Sequence, residues 1–172
     1  MSINSNLDID RVVAHEQVEP LMHCARMEMF SGRLDPATVP VDLQNFERNY
    51  LYPEGCMLLA RQDQVSIGSI GYRSYDGRFP HLTLPAGKTV EVARLFVLPQ
   101  WRRQGVARQL FTQLVEIAKA QGVRILYLHT HPFLVGAVEF WQSLGFEILE
   151  RDLDPLWQTI HMVFCLEEIG KA

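Results

Sequence analysis

Residues 95–108 read Leu95-Phe-Val-Leu-Pro-Gln-Trp-Arg-Arg-Gln-Gly-Val-Ala-Arg108, and this stretch decides the fold. An apolar run ends at Pro99, and a polar turn that contains Gly105 leads directly into a segment with helical periodicity. The first turn of a helix presents N–H groups without intrahelical partners and the positive end of the helix dipole. Because Gly105 has no side chain, an anion can approach these groups closely. The stretch therefore predicts a strand-to-helix corner that is suited to an anion such as a diphosphate.

Basic side chains surround this corner. Arg102, Arg103 and Arg108 lie near the start of the predicted helix, where positive charge opposes the helix dipole. Either a bound anion compensates them or they are simply exposed to solvent, and the spacing alone does not choose between these interpretations. A dinucleotide-binding loop fits poorly, because no Gly-x-Gly-x-x-Gly sequence follows a predicted strand.

The rest of the chain predicts a mixed sheet with helices. Val106, Leu110, Leu114 and Ala118 recur every four residues, which is typical of one apolar helix face, and Gly122 follows as a C-cap. Paired strands come first and strand–helix–strand–helix follows, which favours an α+β fold in a single domain over residues 1–172. The predicted strands cover residues 7–13, 56–61, 65–72, 89–98, 123–130, 146–151 and 158–166. The predicted helices cover residues 16–30, 41–51, 104–121 and 133–144.

Residues 74–88 show no periodicity and contain Gly77, Pro80, Pro85 and Gly87. A connection of this length is uncommon inside a compact domain and is often a lid or a binding loop. An irregular bulge between two strands is the alternative interpretation.

Composition narrows the class of protein. The 172 residues are 48% hydrophobic and have a formal net charge of −4, so nothing attracts the whole chain to nucleic acid or to an anionic membrane. Three cysteines without a Cys-x-x-Cys pair indicate free thiols in a reducing compartment. The polar start and the short apolar runs predict a cytoplasmic, soluble protein.

Two spaced motifs resemble the GCN5-related N-acetyltransferase (GNAT) family. The first is Arg102-x-x-Gly105-x-Ala107, which follows Val97-x-Pro99 and opens a helix. The second is Ala137-x-x-Phe140-Trp141-x-x-x-Gly145-Phe146, similar to the family's later Ala-x-x-x-Tyr-x-x-x-Gly-Phe helix. The detailed resemblance covers residues 90–150. It implies an acyl-CoA N-acyltransferase-like fold, with a mostly antiparallel mixed sheet, flanking helices and splayed central strands.

The resemblance also implies acetyl-CoA as co-substrate and a set of residues that bind it. The backbone of Leu95, Phe96 and Val97 would pair with the pantetheine arm, and the amide of Val97 would polarise the thioester carbonyl. The pyrophosphate would lie against the corner, for which we expect these residues: Arg102, Arg103, Gln104, Gly105, Val106, Ala107 and Arg108.

Glu91 is the first candidate for the base that deprotonates an acceptor amine. It lies six residues before Val97, a spacing that matches family members with a glutamate base, and strict alternation would place both residues on one strand face. A solvated glutamate at a strand end is nearly as good an interpretation.

His129 is the second candidate. Alternation places Tyr127, His129 and His131 on one face of a predicted strand, and histidine titrates near neutral pH. A structural histidine is the alternative. A metal site built from His129 and His131, with His161 or Cys165, is a weak hypothesis without a clear third ligand, and we predict no metal site.

The general acid is unassigned, because the chain departs from the family pattern. The usual tyrosine falls on Trp141, and an asparagine often found upstream falls on Leu134. Tyr127 or a water molecule could protonate the departing thiolate, whose conjugate acid has a pKa of roughly 8.5.

The acceptor pocket is expected from the first helix and from residues 31–40 and 74–88. Arg33 and Arg94 could bind a carboxylate, whereas Asp35, Asp42 and Glu47 could favour a cationic amine. A small molecule or a peptide amine therefore remains open as the acceptor, and a homodimer is possible.

Two functional hypotheses follow. The first is an acetyl-CoA-dependent N-acetyltransferase that acts by direct transfer to a primary amine in a ternary complex. The second, motivated by the missing tyrosine and asparagine, is a non-catalytic acyl-CoA-binding or regulatory module of the same fold.

Overall fold

A computed structural model describes residues 7–35, 37–51 and 53–166, and within these residues seven strands and five α-helices are formed. The strands are β1 (Leu7–Arg11), β2 (Cys56–Gln62), β3 (Val65–Ser74), β4 (Thr89–Val97), β5 (Ile125–Thr130), β6 (Glu147–Arg151) and β7 (Ile160–Cys165). The helices are α1 (Glu19–Met29), α2 (Val41–Gln44), α3 (Phe46–Tyr50), α4 (Val106–Ala120) and α5 (Ala137–Ser143).

The seven strands form one mixed sheet in the order β1-β2-β3-β4-β5-β7-β6. The pairs β1–β2, β2–β3, β5–β7 and β6–β7 are antiparallel, and β4–β5 is parallel. This mixed sheet with its helices confirms the predicted fold class.

The parallel ladder between β4 and β5 is short. It consists of the three pairs Thr89↔Ile125, Val90↔Leu126 and Glu91↔Tyr127. Pairing stops at Glu91 although β4 continues to Val97, as the predicted splay of the central strands requires.

The chain separates into two compact units, and the prediction of one domain over residues 1–172 stays a prediction. The first unit takes in residues up to 73 and residues 93–116. Its core is aliphatic and aromatic and contains Val12, Val18, Leu21, Met22, Leu43, Phe46, Tyr50, Met57, Leu59 and Phe96.

The second unit takes in residues 74–92 and the chain from residue 117 onward. Its described strands β5, β6 and β7 form an antiparallel ladder. Trp141, at 5.3 Å between ring centroids from Phe146, packs α5 into the interior. Residues 75–88 contain no helix or strand, as the missing periodicity predicted.

Two predicted helices differ from the structure for local reasons. The helix predicted over residues 41–51 is two short helices, because Asn45 leaves the helical conformation and its side chain donates to the carbonyl of Val41 at 3.1 Å. The helix predicted from residue 133 begins at Ala137, after turns at residues 132–136.

None of the helices in the described ranges has both the length and the apolar character that a bilayer-crossing segment requires. All three cysteines lie in these ranges and have free thiols, as predicted.

Candidate active site

The strand-to-helix corner, residues 99–108, has the geometry of an anion-binding turn. Arg103 and Gly105 both adopt positive φ, at 60° and 83°, immediately before α4. Gln109 donates to the carbonyl of Gly105 at 3.0 Å, so the amides that precede Gln109 have no acceptor one turn earlier within α4. Turns of this kind direct successive N–H groups into one concavity that suits an anion.

Space around Gly105 is open. A Cβ built at this position would meet no other atom within 4 Å. The backbone of the corner is therefore accessible, and the positive φ explains why glycine stands there.

Arg102 supports the corner through its side chain. Its Nε donates to the carbonyl of Val97 at 2.8 Å, its guanidinium pairs with Glu28 at 2.6 Å, and it lies over the ring of Phe96 at 5.5 Å. These contacts tie the end of β4 to the turn that follows. The role of Arg102 in cofactor binding stays a prediction, and its guanidinium is bound within the protein by Val97 and Glu28.

Arg94 interrupts β4. Its φ of 60° lies in the left-handed region, which side chains rarely adopt inside a strand. Glu91 and Val97 lie on either side of this residue, so the strict alternation used to place them on one face does not hold.

The guanidinium of Arg94 is occupied by a buried acid. Its Nε donates to Asp42 Oδ2 at 2.8 Å and its terminal nitrogen donates to Oδ1, while the Tyr50 hydroxyl donates to Oδ2 at 2.6 Å. Burial opposes ionisation of Asp42, but Arg94 and the Tyr50 hydrogen bond outweigh it and hold the Asp42 pKa below its ordinary value. Arg94 and Asp42, proposed separately as groups for the acceptor, therefore bind each other.

Glu91 is buried in the second unit and is held by Arg78. The two guanidinium nitrogens of Arg78 donate to Oε2 and Oε1 of Glu91 at 2.7 and 2.5 Å. The Glu91 side chain is 2% exposed, which excludes the interpretation of a solvated strand end. Burial disfavours the charge of Arg78, but the hydrogen bonds and charge of Glu91 hold the Arg78 pKa above its ordinary value.

His129 lies beside the same carboxylate. Its Nδ1 is 3.2 Å from Glu91 Oε1, although the angle is not that of a hydrogen bond, and its side chain is 30% exposed. The structure thus brings together both predicted bases, one buried and paired with arginine, the other accessible.

Tyr127 belongs to a separate polar chain. Its hydroxyl lies 2.7 Å from His161 Nδ1, and His161 Nε2 lies 3.0 Å from Asp152 Oδ2. Asp152 Oδ1 in turn contacts His81 Nε2 at 3.0 Å. Tyr127 is fully buried, and this burial raises the pKa of its hydroxyl.

The 74–88 segment contributes side chains that sequence reasoning did not single out. Arg78 and His81 make the contacts described above, and the ring of Phe79 lies 5.8 Å from that of His129 and 4.8 Å from that of His161. The available signal was only the irregular, Gly- and Pro-containing composition of the segment, which fitted a binding loop and an irregular bulge equally and named none of these residues.

The sequence model of the family described as acetyltransferase (GNAT) matches residues 22–146, which include both motifs. The chain belongs to the GNAT acetyltransferase family.

Curated relatives and solved structures agree with this membership. The GNAT chain is 26% identical to N-acetyltransferase 8 from Homo sapiens over 136 residues, which is 75% of this chain and 58% of that protein. It therefore spans somewhat more than half of that relative.

Two solved structures show the same fold. A GNAT-family acetyltransferase from Staphylococcus aureus Mu50 has a TM-score of 0.75 at 22% identity, covering 94% of this chain and 100% of that chain. A putative acetyltransferase from Salmonella typhimurium, described with its cofactor acetyl-CoA, has a TM-score of 0.69 at 19% identity and covers 98% of both chains.

Proposed function

We propose that this GNAT protein is an acetyl-CoA-dependent N-acetyltransferase that transfers the acetyl group directly to a primary amine. The reaction takes place in a ternary complex, without a covalent enzyme intermediate. The observation that carries the proposal is the open backbone at Gly105 in a member of this family. The Salmonella typhimurium relative, whose structure is described with acetyl-CoA, supports the choice of co-substrate.

The corner supplies the anion site for the cofactor's pyrophosphate. Backbone N–H groups of residues 103–108 bind its oxygens, and the positive end of α4 adds to this attraction. The backbone of Leu95, Phe96 and Val97 pairs with the pantetheine arm, and the Val97 amide donates to the thioester oxygen as negative charge develops on it.

His129 serves as the base. Both oxygens of Glu91 accept hydrogen bonds from Arg78, so that carboxylate is a weak proton acceptor, whereas the imidazole is partly exposed. The carboxylate oxygen of Glu91 lies 3.2 Å from Nδ1, and its negative charge favours the tautomer with the proton on that atom, which leaves Nε2 able to accept a proton. Glu91 is then a positioning residue.

Acetyl transfer replaces a carbon–sulfur bond with a carbon–nitrogen bond. The amine nitrogen forms a bond to the thioester carbon and passes a proton to His129 Nε2, and the carbon–sulfur bond breaks with its electron pair on sulfur. The Tyr127 hydroxyl is buried against His161, so we propose that solvent protonates the thiolate. A thiol pKa of roughly 8.5 makes this leaving group tolerable without an enzymic acid.

The non-catalytic acyl-CoA-binding module remains the second candidate. The residue at the family's tyrosine position, Trp141, is buried among Phe140 and Phe146 and offers no acid. This candidate predicts cofactor affinity without acetylation of any amine.

A panel of primary amines, assayed by release of the coenzyme A thiol, tests the proposal. We expect turnover with at least one class of amine and measurable affinity for acetyl-CoA. Affinity for acetyl-CoA without turnover would favour the second candidate. The absence of both turnover and affinity would contradict the proposal.

Two variants separate the roles of the bases. His129→Gln is expected to lower kcat by about 10²-fold or more, the usual contribution of a general base. Glu91→Gln lowers kcat less, and Glu116→Gln, at an exposed position on α4, is the control. A larger loss from Glu91→Gln than from His129→Gln would instead make Glu91 the base.

A further inference from the structure

A group of three potential metal ligands lies in the second unit, apart from the Glu91–His129 pair. Among the described residues, His81, Asp152 and His161 each offer one donor atom, and these atoms lie within 4.8 Å of one another. The two imidazoles approach one carboxylate from different segments, with His81 Nε2 at 3.0 Å from Oδ1 and His161 Nε2 at 3.0 Å from Oδ2.

Two of the three ligands have fixed backbones. His161 lies on β7 and is completely buried, and Asp152 follows β6 directly, where its N–H donates to the carbonyl of Thr159 at 2.8 Å. His81 lies on the irregular segment and is 43% exposed. An ion can therefore enter the site from solvent beside His81, and the His81 side chain can adjust its position.

The second contact of His161 is the kind that metal-binding histidines make. A ligating imidazole usually donates its other ring N–H to an oxygen, which fixes its orientation. His161 Nδ1 lies 2.7 Å from the Tyr127 hydroxyl. Because a tyrosine hydroxyl can accept as well as donate, this bond persists when Nε2 gives up its proton to bind an ion.

The size of the group fits a tetrahedral ion. Zinc bonds of 2.0–2.1 Å imply donor atoms about 3.4 Å apart. The three donor atoms, one from each residue, lie at most 4.8 Å apart, so no pair of them would have to close by more than about 1.4 Å. Side-chain rotation of the exposed His81 can supply this movement.

We propose that His81, Asp152 and His161 form a binding site for a divalent transition-metal ion of the zinc type. Two imidazoles with one carboxylate favour such an ion over magnesium or calcium, which prefer oxygen ligands. Three protein ligands leave a fourth position for water. The bound ion fastens the 74–88 segment to the ends of β6 and β7.

This site differs from the one that the sequence suggested. His131 Nδ1 is 3.1 Å from the carbonyl oxygen of Trp157, and His129 faces Glu91, so neither belongs to the group. His161 was the only residue that both proposals share. His81 and Asp152 are 71 residues apart in the chain, a separation that no local motif reveals.

Titration of the reduced protein with Zn²⁺ alone, followed by calorimetry, tests the proposal. The background is Cys24→Ser with Cys165→Ser, because both thiols are exposed and cysteine is itself a good zinc ligand. We expect one ion per chain and an affinity that falls at least tenfold in His81→Ala and in Asp152→Asn. His23→Ala, an exposed histidine on α1, should change the affinity less than twofold.

Hydrogen exchange supplies the second readout. Zn²⁺ should slow exchange in residues 76–86 of the background protein and leave it unchanged in His81→Ala. Because His81 is exposed and lies outside every helix and strand, His81→Ala is expected to fold. Equal zinc affinity in His81→Ala and the background protein, or no binding at micromolar zinc, would overturn the proposal.

Discussion

In the proposed mechanism, Arg78 affects the chemistry through a neighbouring residue. It holds both oxygens of buried Glu91, which lies beside His129. An arginine presents two parallel donors, whereas lysine is a point charge, so the pair fixes the orientation of the carboxylate as well as its charge.

Arg78→Met should therefore lower kcat by about 10–100-fold, less than the loss of a general base, because Arg78 acts only through Glu91. The KM for the amine and the affinity for acetyl-CoA should change less than threefold, and Arg78→Lys should restore part of kcat. Steady-state kinetics measure the changes in kcat and in KM separately. Arg61→Met, in an exposed pair with Asp10, is the control, and an equal loss of kcat there would contradict a specific role.

Asp42 makes the free energy of unfolding depend on pH. The pKa of Asp42 in the folded state lies below its ordinary value of 3.8. The ion pair with Arg94 therefore contributes its full stabilisation at pH values above the unfolded-state pKa. This stabilisation is lost as the pH falls through the lower folded-state pKa. Removal of one partner from a buried pair costs about 3 kcal/mol.

We expect Asp42→Asn to be about 3 kcal/mol less stable than the unmodified protein at pH 7, a difference that narrows as the pH falls below about 4. Urea unfolding over a pH series measures it. Asp8→Asn, at an exposed position on β1, is the control and should show only a small difference at pH 7. A difference for Asp42→Asn that stays constant down to acid unfolding would contradict the ion-pair origin.

At the scale of elements, the β2–β3 hairpin contains strain. Its two-residue loop is Asp63-Gln64, both with positive φ, at 50° and 66°. Such loops favour Asn-Gly or Asp-Gly, because a side chain in the left-handed region costs roughly 1–2 kcal/mol.

Gln64→Gly should stabilise the protein by about 0.5–1 kcal/mol, since relief of strain exceeds the entropy that glycine adds to the unfolded chain. Gln113→Gly, on the exposed face of α4, should destabilise it by about 1 kcal/mol. Denaturant unfolding of both variants measures the two changes. If both substitutions changed the stability in the same direction, the assigned turn would be contradicted.

The second half of the fold could be predicted from local sequence. Helix α4 has an uninterrupted four-residue apolar period and a glycine that follows it at positive φ, and the structure places it within two residues of the prediction. Residues 41–51 show the limit of this reasoning, since Asn45 competes for backbone hydrogen bonds and splits the helix.

The geometry of the candidate site was predictable only where a motif is contiguous. Gly105 and its neighbours form one short stretch, so their shared geometry followed from the sequence. Arg78 lies in a segment without periodicity, and its pairing with Glu91 depends on tertiary folding. The left-handed conformation of Arg94 also had no sequence signal, because arginine rarely adopts it.

At the scale of the whole molecule, a cofactor that binds only the folded chain should stabilise it. Acetyl-CoA at 100 times its dissociation constant adds about 2.7 kcal/mol. For a domain of this size, the melting temperature should rise by about 5–10 °C. Thermal unfolding with and without acetyl-CoA measures the rise, and adenosine is the control. An equal rise with adenosine would show that the pyrophosphate is not needed.

The anion site at the start of α4 is tested most directly by calorimetric titration of acetyl-CoA into Gly105→Glu. Gly122→Glu is the matched control, because Gly122 follows the other end of α4, has a φ of 74° and has equally open space around its Cβ position. We predict loss of measurable affinity in Gly105→Glu, since the carboxylate blocks and repels the pyrophosphate, and a change of less than threefold in Gly122→Glu. Unchanged affinity in a folded Gly105→Glu protein would contradict the assignment of the corner.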